Sequence, residues 1–335
     1  AAIALGFYFY HRFDDEVRRT VEQKLGEKYP HLQVAVREAQ LISGEGLRVR
    51  GLSIVEPNRS GPQEELFFAE ELFIHCSTDP RDLMNGKLNV SRLALHKPVI
   101  RARRNPDGTW SASKLLPLPK FGDGMPTGTI EDGTVELSDT VGEATKRFIL
   151  RDADLHWAPV EGNYPPGARK PLRIEGSLAA DYVRGLKIDA VLDPGGGGAW
   201  SLDGSVDAVD FGPELRRTLP AMFAEPLVKL GGLRAKLSAQ FRAAYQPPPA
   251  QPPVAALGEV LPPGEVAAPV AAVGTFDFLV NGKVAEGRWE DSRLPHPITD
   301  LACQFRASPT GVSITEIAAR HGSSVLSGRV DKSGL

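Results

Sequence analysis

Residues 171–210 read PLRIEGSLAADYVRGLKIDAVLDPGGGGAWSLDGSVDAVD. In an extended chain Leu172, Ile174, Gly176, Leu178 and Ala180 point to one side, against Arg173, Glu175, Ser177 and Ala179. After a short turn, Leu186, Ile188, Ala190 and Leu192 repeat the pattern. A glycine link follows, and Trp200, Leu202, Gly204, Val206 and Ala208 repeat it again. The links are too short for parallel crossovers, so the segment is a meander of antiparallel strands with one apolar and one wet face.

The same alternation extends both ways. Downstream, Leu233, Ala235, Leu237, Ala239, Phe241 and Ala243 oppose Arg234, Lys236, Ser238, Gln240 and Arg242. Strand patterns resume at TFDFLVNGKV, LACQFRAS and GVSITEIAARHGSSVLSGRV. Upstream, LQVAVREAQLI, LRVRGLSIVE, ELFFAEELFIHCST and KLNVSRLALHKPVIRARR alternate as well. DPRDLMNG (79–86) reads as a short helical or looped excursion. Residues 211–232 carry a helical pattern that Pro220 and Pro226 break into short pieces. Residues 246–274, rich in Pro, Ala and Val without a period, read as an extended, disordered insertion. With 34 Gly and 28 Pro in 335 residues, the composition suits a turn-rich, mostly β chain.

The N-terminus differs. AAIALGFYFY is uncharged and ends in aromatic residues before His11 and Arg12, the pattern of a helix leaving a bilayer. Ten residues cannot span, since about 20 are needed, so the expectation is the end of a transmembrane anchor that begins further upstream, with a signal-peptide remnant or a buried N-terminal helix as the alternative. An amphipathic helix follows, with Phe13, Val17, Val21, Leu25 and Tyr29 in one stripe. The chain starts without methionine and stops at DKSGL, so more chain is expected at both ends. The expected division is 1–30 for anchor and helix, 31–245 for the sheet, 246–274 for the insertion and 275–335 for more sheet.

Chemical signatures are few. A net charge of -3 with scattered basic residues gives no footprint for nucleic acid. The seven histidines show no metal-ligand spacing. Asp152, Asp154 and His156 fall on one strand face, where three ligands for a divalent ion and an ordinary solvated face are both readings. The glycines at 195–198 lack the GK[ST] and helix of a phosphate loop, and GDGMPTG is likewise a turn. No nucleophile elbow appears. Cys76 and Cys303 fit buried thiols or a disulfide, and support no zinc site. Neither an enzyme nor a cofactor is expected.

One stretch carries a resemblance. VSRLALHKPVIRARRNPDGTWSASKLL (90–116) sets a proline, an arginine-bearing strand, an Asp-Gly-x-Trp turn and a Leu-Leu segment in order, at Pro98, Arg101, Arg103, Asp107, Gly108, Trp110, Leu115 and Leu116. Trp110 reads as a packing residue closing a hairpin, and SASKLL as a short helical cap. The ordered set resembles the AsmA-like family, the TamB-type bridge-like lipid-transfer proteins of diderm bacteria, with Ser111 where that family often has Asn. TGTIEDGTVELSD followed by FILRDADLHW resembles the next hairpin, and the similarity covers most of residues 1–210.

The resemblance implies an elongated, twisted antiparallel sheet bent into a U-shaped open groove, with an N-terminal helix. It further implies a single-pass anchor in the bacterial inner membrane, a periplasmic body and phospholipid transport in outer-membrane biogenesis. The partners would be membrane lipids through their acyl chains, the inner membrane through the N-terminal helix, and envelope proteins. The candidate groove lining is Leu172, Ile174, Leu178, Leu186, Ile188, Leu192, Leu202, Val206, Leu233, Leu237 and Phe241. Periodicity alone fits an open groove and a closed sandwich equally. An envelope scaffold that binds protein partners through its sheet is the alternative function, and a carbohydrate-active β enzyme a remote third.

Overall fold

The computed structural model describes residues 2–57, 64–76, 90–115, 125–141, 144–165, 170–193, 198–248 and 274–334. Helix α1 (Ala2–Lys28) leads into strands β1 (Gln33–Ile42), β2 (Gly46–Val55), β3 (Glu65–Cys76) and β4 (Val90–Arg103). The 3-10 turn η1 (Ser111–Leu115) precedes β5 (Thr127–Val141), β6 (Ala144–Pro159), β7 (Leu172–Ala180), β8 (Val183–Asp193) and β9 (Ala199–Phe211). Three short pieces follow, α2 (Pro213–Thr218), α3 (Ala221–Ala224) and the 3-10 turn η2 (Glu225–Leu230). Then come β10 (Leu233–Gln246), β11 (Thr275–Trp289), β12 (Ile298–Ser308), β13 (Gly311–His321) and β14 (Ser324–Ser333).

The 14 strands form one open sheet in strict chain order, β1 to β14. A meander needs only short reversals, and β10 and β11 pair directly from Gln246 opposite Thr275. Most of the expected insertion, 249–273, lies outside the described residues, as do the excursion at 79–86, Leu116 and most of the glycine link. Pro220 and Pro226 break 211–232 as their missing amides require.

One junction departs from the antiparallel expectation: β4 and β5 are parallel. The NPDG turn does not feed the next strand. Gly108, at φ +85, lets the chain reverse, and the Asp107 carboxylate accepts the Thr109 amide at 2.9 Å. Trp110 then makes one bridge back to Arg104, and η1 carries the chain away. The connection is long enough to return to the end where β4 began, so Arg92 pairs with Thr127. Its start is pinned by buried polar groups. Ser111, fully buried, accepts the Arg103 amide at 2.9 Å. Glu56 accepts Arg103 Nη2 at 2.8 Å and also Lys114 Nζ. The Tyr29 hydroxyl, whose pKa burial pushes up, donates to the Leu115 carbonyl at 3.1 Å.

The expected membrane anchor is overturned. No described helix is long and apolar enough to cross a membrane, so the inner-membrane, single-pass assignment loses its basis. The charges from His11 to Lys28 dilute the apolar start of α1 within one continuous helix. Its stripe serves the sheet instead: Val17, Val21 and Leu25 pack on a core of Val36, Ala39, Leu47, Val49, Leu52, Ala69, Leu72, Ile74 and Leu93. Glu22 accepts the Val36 amide at 2.8 Å, satisfying a backbone donor of the first strand. Cys76 and Cys303 are free, nine strands apart in the order, and burial raises both thiol pKa values.

Burial raises the Glu56 pKa, but hydrogen bonds and charge from Lys114 and Arg103 outweigh it and hold it below the ordinary value. A depressed carboxylate stabilises the fold above its unfolded pKa of about 4.3 and stops doing so as pH falls through the folded value. Glu56→Gln is therefore expected to cost about 1–3 kcal/mol at pH 7 and much less near pH 3. Urea unfolding at both pH values checks it; an equal loss at both would contradict the assignment.

Candidate functional site

The ladder registers place all eleven groove candidates on one face of the sheet. Ile174 stands between Trp157 and Ala190, and Leu202 between Ala190 and Ala243. Ile188 faces Gly176 and Gly204, which in turn faces Phe241. Leu172 pairs with Leu192, Leu178 with Leu186, and Leu186 with Val206. Leu237 pairs with Val209, and Leu233 with Trp289. One row of facing residues crosses β1 to β11: Ala39, Val49, Leu72, Leu95, Ile130, Leu155, Gly176, Ile188, Gly204, Phe241 and Val280.

Burial along this face is graded. Under α1, Val49 is 0% exposed. Ten of the candidates are half-buried, Leu192 is 40% exposed, and Val330 on β14 reaches 52%. A second sheet packed on these strands would take such side chains to the level of Val49. Their half-burial therefore decides for an open face over a closed sandwich. Three of the eleven serve packing as well: Val206, Leu233 and Leu237 lie against a small core of Val209, Phe211 and Leu215. Helix α2 supplies Leu215 to that core. The Arg216 guanidinium lies 5.3 Å from the Phe211 ring and donates to the Leu230 and Leu233 carbonyls at 3.0 and 3.2 Å. The segment from α2 to η2 thus closes one side of the apolar face.

Left-handed residues inside the strands keep that face in phase. Gly51, Lys97, Asp132, Asp152, Ala208, Glu286, Asp300 and Glu316 all have φ between 47° and 61°. Val206 and Val209, three apart in β9, stand opposite Ala239 and Leu237, two apart in β10. Without the extra residue, Val209 would turn to the wet face. Ala208, expected among the apolar positions, is the residue inserted. Asp152 is another, so Asp152, Asp154 and His156 do not follow a simple period of two. The Asp154 carboxylate instead accepts the Asp132 amide at 3.0 Å. No group of three metal-ligating side chains occurs among the described residues.

The expected lining included Phe241 but omitted the other aromatic residues that finish the face. Trp157 lies across Gly128, Phe241 across Gly204 and Phe305 across Gly282, each pair directly opposed in the ladder. A Cβ on those glycines would sit 1.9, 2.4 and 2.3 Å from the ring. The Trp157 indole nitrogen donates to the Pro126 carbonyl at 3.1 Å, leaving its apolar body on the sheet. Trp200, Tyr245, Phe276 and Phe278 cluster at the opposite end of the strands from α2, with ring centroids 5.9–6.4 Å apart. The usable signal was a glycine at an apolar position in one strand and an aromatic in its neighbour, which becomes visible only with the register.

The other face is ionic. Asp189 and Asp203 are direct neighbours, a repulsive pairing. Arg173 holds Asp189 at 2.6 Å and Arg242 holds Asp203 at 2.7 Å. The Arg173 hydrogen bond keeps the Asp189 pKa below the ordinary carboxylate range. These pairs are solvent-screened and add little stability; they keep charge off the apolar side. No protein-family model matches the chain, and no curated protein matches it in sequence.

Gly204→Ala tests how the aromatic rings are seated. The added methyl meets the Phe241 ring and, at 2.6 Å, the Lys187 carbonyl, so the backbone resists as well. The expected cost is about 1–3 kcal/mol in chemical denaturation. The same change at Gly185, which has nothing within 4 Å of its Cβ, should be nearly neutral.

Proposed function

We propose that the open apolar face binds the acyl chains of lipids and that the protein takes part in phospholipid transfer between membranes. The observation that carries this reading is the unbroken apolar row from β1 to β11, half-buried beyond β4 and not covered by a second sheet among the described residues. A hydrocarbon chain needs contact without hydrogen bonds, and this face offers aliphatic and aromatic surface over a floor thinned by Gly176, Gly204 and Gly282. Each half-exposed Leu or Ile that a lipid covers returns roughly 1 kcal/mol. Head groups would remain in water at the open side. The resemblance of residues 90–116 to AsmA-like lipid-transfer proteins supports the same function.

Leu237 is a poor place to test the groove, because it also packs on the Val209–Phe211–Leu215 core. Ile188, between Gly176 and Gly204, is better placed. A carboxylate there stays hydrated in the empty protein but would be buried beneath a bound chain. Ile188→Glu should lower the lipid recovered per mole of purified protein at least about tenfold, a 1.4 kcal/mol effect, with far-UV circular dichroism unchanged. Glu175→Lys, on the ionic face, should leave lipid content as it is. Mass spectrometry of the extracted lipid makes the comparison. Equal lipid in Ile188→Glu and the unaltered protein, or none in either, would reject the groove and leave a protein-binding scaffold.

A further inference from the structure

Away from the apolar row, the β11–β12 connection brings two imidazoles together. His296 lies between Pro295 and Pro297, two residues before β12 begins at Ile298. His321 ends β13, paired with Ile298 on one side and Ser324 on the other. The ring centroids are 5.9 Å apart and the planes meet at 57°. His321 Nε2 is buried and has no hydrogen-bond partner, while His296 is exposed. His296 Cδ2 would lie 3.6 Å from a Cβ at Gly322, so its ring stands over the left-handed β13–β14 turn, φ +60.

A buried nitrogen without a partner calls for one. Imidazole nitrogens bind zinc-like cations at about 2.0–2.1 Å, which sets each ring centroid about 3.2 Å from the ion. Two rings on one ion are then about 5–6.4 Å apart, from tetrahedral to linear arrangement, and the observed spacing falls inside that window. Both ligands are also preorganised. Flanking prolines restrict the His296 backbone, and His321 is held by ladders on both sides.

We propose that His296 and His321 form a two-histidine site for a divalent transition cation of the zinc, nickel or copper class. Imidazole favours these over magnesium or calcium, which select oxygen ligands. No third His, Cys, Asp or Glu completes the group among the described residues, so water fills the remaining positions and the ion exchanges. This inference is independent of the lipid reading.

Titration of the full chain with Ni²⁺ in a calorimeter tests it. The double variant His296→Ala/His321→Ala measures background binding by the other five histidines. The unaltered protein should bind one ion at least tenfold tighter than that background, and each single variant should lose the gain. Cu²⁺ paramagnetic resonance should show two nitrogen couplings that fall to one in His296→Ala. If the unaltered protein binds no tighter than the double variant, or if His296→Ala binds like it, the site is overturned. His296 is exposed, so its variant decides even where His321→Ala disturbs the fold.

Discussion

The fold depends on keeping one side of a fourteen-stranded sheet apolar with no second sheet over it among the described residues. Side chains alternate, so a slip of one residue anywhere would exchange the two faces from that point on. The chain meets the constraint by register. Apolar residues and glycines face one another strand after strand from Ala39 to Val280, and charged residues face one another behind them. At Ala208 a left-handed residue is inserted and the phase is restored beyond it. Each such non-glycine residue costs about 1–2 kcal/mol. Seven of them are present, so continuity of the apolar face outweighs that strain.

The start of the face and one flank are treated differently from the rest. At the start, α1 covers it and Glu22 satisfies a free amide of β1, so the first strands have an ordinary core. Along one flank, α2 adds a small second core around Phe211. Buried Glu56 and Ser111, each bonded to Arg103, lock the β4–η1 junction, where a parallel pair interrupts the meander. The face is thus anchored at its start and along one flank, and becomes progressively more exposed toward β14.

The meander, its apolar positions and the proline-broken helices were legible in the sequence because each rests on local chemistry: period two, turn residues and missing amides. All eleven candidate residues fall on one face for that reason. Three features were not legible. The parallel β4–β5 pair depends on a connection of 23 residues between Arg103 and Thr127, whose path no local pattern dictates. The left-handed insertions at Ala208 and Asp152 look like ordinary members of an alternation, and only the partner strand shows that they are extra. The apolar N-terminal decapeptide suggests a membrane helix, but α1 continues through a charged sequence and spends its stripe on the sheet.

The glycine–aromatic pairs bear on why an exposed apolar face does not simply collapse or aggregate. A ring reaching over a glycine in the neighbouring strand fills the gap that the missing side chain leaves. Phe241 on Gly204 and Phe305 on Gly282 therefore satisfy much of their own hydrophobic demand within the sheet. What remains is a continuous, half-exposed apolar surface of aliphatic and aromatic side chains. Specific protein interfaces draw their affinity from anchors seated in pockets. A flexible hydrocarbon chain needs neither pocket nor partner geometry, only continuous apolar contact. Continuous apolar contact of that kind is what the proposed lipid occupant requires.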